Sequence, residues 1–280
     1  MFSKFFASFE LIKIAFSYVR QEGELFVYAL LSFISSFIIL ASFAITDFFY
    51  IEKLENISQD QKQLITYGVM FIFYLVFYFI TFFFNTAIIT SVKRKLNGEE
   101  NKFGDGIRDS MANLGKILQW ALVSATVALI LRIIESKFKE NSTVGKLIVK
   151  FLGGAWSILT FFAFPMMILQ NKGPIDSVKE SSLLFKKTWG EMAILNIGSG
   201  LFYIILMILS AIICFGFVIL VSPMVGIILF IVSIVCIVVL NGLTDVIITT
   251  LLFHYASSET VPENKNERLA FARIAKIPNL

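Results

Sequence analysis

The chain has 280 residues and a net charge of +4; 57% of its residues are hydrophobic and only 16% charged. Soluble domains are roughly 45–50% apolar and about 25% charged, so a water-soluble monomer, a disordered chain and a fibrous repeat are all excluded. The composition is that of an integral membrane protein, and its charge is too mild for a nucleic-acid partner.

A helix crosses ~30 Å of hydrocarbon with about 20 residues, so charge-free runs place the elements in chain order. The first segment, 2–20, carries an apolar stripe of Phe2, Phe5, Phe6, Phe9, Ile12 and Phe16 opposite Ser3, Lys4, Glu10 and Lys13. That is an amphipathic helix. With no small-residue cleavage site behind it, it reads as retained rather than removed. Span one follows at 25–49, around a charge-free run of 22 residues, and span two at 64–91, within a run of 30. A second amphipathic segment, 103–115, places Ile107, Met111 and Leu114 at i, i+4 and i+7. Span three, 117–134, has a charge-free run of only 15 residues, so Arg132 lies inside it near its end and snorkels to the headgroups. Span four, 147–169, contains Pro165.

A third amphipathic segment, 174–190, precedes a run of 53 uncharged residues at 192–244. As one helix that run would be roughly 80 Å long. It must fold back, and Ser222-Pro223 followed by Gly226 marks the turn between span five, 192–219, and span six, 225–253. A tail, 254–280, completes a single integral membrane domain covering 1–280. The fold class is all-α: a polytopic helical bundle of six transmembrane helices in three hairpins, each preceded by a cytoplasmic amphipathic helix.

Orientation follows from the basic residues in the connections. With both termini on one side, that side holds seventeen Lys and Arg and the other seven. Both termini are therefore expected in the cytoplasm, with the protein in the inner or plasma membrane. The second and third amphipathic segments match at an offset of 71, Asp105-Gly106-Ile107-Arg108-Asp109-Ser110 against Asp176-Ser177-Val178-Lys179-Glu180-Ser181, with Lys116 against Lys187. This is the pattern of an internal duplication. Asp105 and Asp176 suit N-caps, and Asp109 and Glu180 suit a first helical turn.

Ala121, Ser124, Ala125 and Ala128, then Gly153, Gly154 and Ser157, then Gly198, Ser199 and Gly200 supply small surfaces for close helix packing. They put spans three, four and five at the bundle centre and leave the Phe-rich span two toward lipid. Trp120 and Trp189, near span entries, fit an interfacial belt.

No catalytic constellation emerges. Neither a phosphate-binding glycine loop nor a Cys-x-x-Cys pair occurs, and His254 is the single histidine. Cys214 and Cys236 lie within apolar runs and read as packing residues. No cofactor or metal is expected, and no enzymatic activity. The residues that stand out are polar ones inside spans. Asn241, Asp245 and Thr249 fall at i, i+4 and i+8 on one face of span six, with Thr244 beside them; Asn85 and Asn196 are in-membrane amides of spans two and five. One reading makes them a polar seam lining a solute or proton path. The other puts Asp245 at the cytoplasmic interface beside local basic residues.

Four stretches also resemble a widespread uncharacterised family of six-span membrane proteins: Trp156 through Pro165, Asp176 through Ser181, Lys186-Lys187-Thr188-Trp189-Gly190-Glu191 and His254-Tyr255-Ala256. More distantly they resemble the membrane domain fused to some bacterial glycerophosphodiester phosphodiesterases. The resemblance implies a non-catalytic membrane module and carries over no catalytic residues. The leading expectation is a membrane protein whose amphipathic helices engage lipid or a protein partner, including a second copy of itself. The alternative is a small-solute or lipid permease using the seam.

Overall fold

The computed structural model describes residues 2–46, 58–138 and 142–258, and their side chains apart from those of 2–8, 45–46, 187–199 and 258. Regular structure among these residues is entirely helical: α1 (Phe2–Gln21), α2 (Gly23–Thr46), α3 (Gln59–Leu96), α4 (Asp105–Ala112), α5 (Leu114–Ser136), α6 (Thr143–Thr160), α7 (Ala163–Gln170), α8 (Pro174–Leu220) and α9 (Pro223–Ser258). Six segments are long and apolar enough to cross a membrane: Gly23–Ala44, Gln59–Leu96, Leu114–Ser136, Thr143–Gln170, Gly200–Leu220 and Pro223–Ser257. The chain is an all-helical integral membrane protein. It divides into two compact units, one of Met1–Ala29, Val92–Asn101 and Leu183–Leu280, the other of Leu30–Ser91 and Lys102–Ser182.

The second unit is built around a broken helix. Pro165 has no N–H to give to the carbonyl one turn back, and its ring crowds that carbonyl, so a helix reaching it must kink or stop. Span four accordingly breaks at Phe161 and Phe162, between α6 and α7. The short α7 is the best buried element here, with Phe162 and Met167 fully enclosed. It packs on α5, whose Ile117, Ala121 and Ala125 are also fully buried. The Phe162 N–H left over by the break donates to Ser181 Oγ at 3.0 Å. Ser110, the matching serine of the duplicated motif, is equally buried and donates to Phe83 O at 2.8 Å. Both copies thus use their serine to hold backbone of the preceding span.

Several expectations are corrected in this unit. Trp120 does not face lipid: only 3% exposed, it stacks on Trp156 with ring centres 6.3 Å apart. The short side chains around it on α5 let the rings close over the helix. Asp105 opens α4 as its first helical residue, and Asp176 follows two residues after Pro174, so neither is an N-cap. Proline preset for a first turn starts α8 earlier than aspartate capping implies. α4 and α5 are separated only by Asn113, whose φ of −106° and ψ of 14° interrupt the helix.

In the first unit α1 packs along α9, burying Leu11, Ile12, Ile14, Ala15 and Tyr18. This differs from the expected stripe: Phe9 and Phe16 are half-buried, and the side chains of Phe2, Phe5 and Phe6 lie outside those described. The second half of α1 is a core helix, because its adjacent apolar residues cover a wider arc than a lipid-surface stripe needs. The α1–α2 junction is tied to the end of α3 by Lys95 Nζ on Glu22 at 2.9 Å, and Asn101 donates to Glu24, which also accepts from Tyr28 OH.

The hairpin turn comes where Ser222-Pro223 predicts it. Ser222 Oγ accepts from Val225 N at 3.2 Å as the cap, and Pro223 takes the first helical position. Two features of α8 go beyond the sequence pattern. It runs unbroken from the third amphipathic segment into span five, since 175–222 contains no proline and each of its glycines costs a helix only about 1 kcal/mol. In its described membrane portion Ile208, Ile212 and Phe215 are exposed. Beyond Gly200 its outer surface has no small-residue stripe to admit a neighbour.

Candidate functional site

The polar residues of span six divide by helix face. On α9, Leu243, Thr244, Ile247 and Leu251 are buried, while Val238, Gly242 and Asp245 form an exposed stripe flanked by the half-buried Asn241 and Thr249. Thr244 is fully buried, and its hydroxyl shares a 2.7 Å hydrogen bond with Tyr203 OH of α8. Tyr203 OH also donates to Leu240 O, so this residue of the seam is a tie between helices. Ser210 and Ser233, at 2.5 Å, make a similar tie farther along. Asp245 makes no ion pair with any described residue. Asn196 lies on α8, but its side chain is outside those described. Asn85, half-buried on α3, belongs to the other unit.

The second unit holds a site that the sequence reading missed. A cavity of about 300 Å³ opens between α3, α5 and α6. Its α5 wall is one helical face, Ser124, Ala128, Leu131 and Glu135, spaced by four, three and four residues. Tyr74 and Tyr78 of α3 and Trp156 of α6 supply an aromatic wall. At one end Arg132 Nη1 meets Glu135 Oε2 at 2.8 Å, the two side chains being 48% and 45% exposed. Arg132 is therefore held in an ion pair at a cavity rim, not simply extended to headgroups. Beside it Tyr67 OH and Ser136 Oγ lie 3.0 Å apart, with Gln63 donating to the tyrosine. The cavity thus joins an ion pair at one end to a lining that is largely apolar and aromatic. The signal available in the sequence was the short charge-free run of span three, which forces Arg132 and Glu135 against hydrocarbon.

A model of a family of unknown function, DUF6159, matches residues 64–262, taking in both the cavity helices and the α8–α9 hairpin. The chain belongs to this family. No curated protein matches it. Membership covers spans two to six and assigns them no activity.

Proposed function

We propose that the chain is a non-enzymatic protein of the cell membrane, both termini cytoplasmic, that binds lipid and presents its cytoplasmic segments to a protein partner or a second copy. The observation that carries this reading is how the hydroxyls of the helices and of the segments that lead into them are engaged. Ser110, Ser181, Thr244, Ser210 and Ser233 all join helix to helix or helix to backbone. Such bonds hold a bundle together where lipid supplies no hydrophobic drive. They leave few polar groups to line a conducting path. Counted from Pro223, Asp245 lies about 33 Å along α9, a length comparable to the ~30 Å hydrocarbon layer, which supports the interfacial reading of this residue.

The transport reading keeps one observation in its favour, the exposure of Asp245 on the stripe flanked by Asn241 and Thr249. Proteoliposomes decide between them. Protons, glycerol and a fluorescent phospholipid are expected to cross no faster than in protein-free vesicles. Flux above that baseline which Asp245→Asn reduces overturns the proposal and makes Asn241, Asp245 and Thr249 the path.

A further inference from the structure

We infer that the cavity between α3, α5 and α6 is a binding site for one phospholipid with a primary amine in its headgroup, of the phosphatidylethanolamine type. This rests on the lipid-binding reading above and names its ligand. The cavity's lining matches a lipid's own polarity: charge at one end, with an apolar and aromatic wall of Leu131, Ala128 and the rings of Tyr74, Tyr78 and Trp156. Its volume of about 300 Å³ equals that of about ten liquid waters. That holds a headgroup or a short stretch of acyl chain, and the rest of the lipid stays in the bilayer.

The rim chooses the headgroup. Arg132 uses one guanidinium nitrogen on Glu135, and its remaining N–H donors are available to a phosphate, for which the planar guanidinium is well shaped. Glu135 keeps lone pairs for an ammonium. A primary amine donates N–H to that carboxylate and completes a charge-alternating set of four groups. A quaternary amine has no N–H to donate. A purely anionic headgroup satisfies Arg132 but meets Glu135 as a like charge. An ion pair at the rim, in place of a lone arginine, therefore selects a zwitterion bearing N–H.

Native mass spectrometry tests this on the full chain in mild detergent, equilibrated with equimolar phosphatidylethanolamine, phosphatidylcholine and phosphatidylglycerol of matched chains. The ethanolamine lipid is expected to be retained about tenfold over the others, the worth of one charge-assisted hydrogen bond. Glu135→Gln removes that preference while the protein still holds lipid. Arg132→Gln lowers ethanolamine and choline lipids alike, and Ala128→Trp, which fills the cavity floor, strips all three. Equal retention of the three lipids that Ala128→Trp still abolishes overturns the headgroup assignment alone. Retention that Ala128→Trp leaves untouched overturns both the site and the lipid reading beneath it.

Discussion

Ser177 and Ser181 stand one turn apart on α8, both fully buried, yet among the described residues only the Ser181 hydroxyl has a hydrogen-bond partner. A buried hydroxyl without a partner costs free energy, whereas removing the partner of a buried N–H strands that N–H. Ser181→Ala is expected to lower stability by about 1–2 kcal/mol. Ser177→Ala is expected to leave it unchanged or raise it, since its counterpart in the first copy of the motif is Gly106. Thermal unfolding followed by far-ultraviolet circular dichroism in detergent reads both; equal damage from the two substitutions contradicts the assignment. The repeated motif itself is visible in the sequence. What its serines hold is not, because Phe83 and Phe162 lie 27 and 19 residues away and only folding brings them near.

Among helices, the α8–α9 hairpin depends on one close approach. A Cβ placed on Gly226 would sit 2.3 Å from Val218 Cγ2, 2.7 Å from Val218 N and 2.8 Å from Cys214 O. The valine methyl can turn aside, but the backbone atoms cannot. Gly226→Ala is expected to destabilise the protein by about 1–3 kcal/mol. Val218→Ala added to it should restore only part of the loss, as a double-mutant comparison of melting temperatures would show. The turn here was readable because its signals are local: a serine cap, a proline at the first helical position, a glycine one turn on. The continuity of α8 was not, because it is set by what 175–222 lacks. The same contrast separates the two sites. Asn241, Asp245 and Thr249 repeat along one helix and announce themselves, whereas the cavity is assembled from three helices whose wall residues are ordinary ones.

At the scale of the whole chain, hydropathy alone located the six crossings, since the cost of burying charge in hydrocarbon leaves few alternatives. The division into two units had no such signature, because it depends on which helices pack together once inserted. Sidedness is open to a direct measurement. With Cys214 and Cys236 replaced by alanine, Val144→Cys and Ile175→Cys each place a thiol at an exposed position on either side of α6 and α7. A membrane-impermeant maleimide added to intact cells is expected to label position 144 and to reach position 175 only after permeabilisation. Labelling of both from outside contradicts the proposed arrangement.

The interrupted fourth crossing also bears on how the protein is made. In a chain that ends at Asn171, α6 and α7 are complete, but the acceptor for the Phe162 amide is absent. A buried N–H without its partner costs about 1–2 kcal/mol, so the crossing is finished by the opening turns of the helix that begins the next one. A nascent chain ending at Asn171 should be washed from membranes by alkaline carbonate more readily than one ending at Lys186. The second hairpin is then completed only when the first residues of its successor are present.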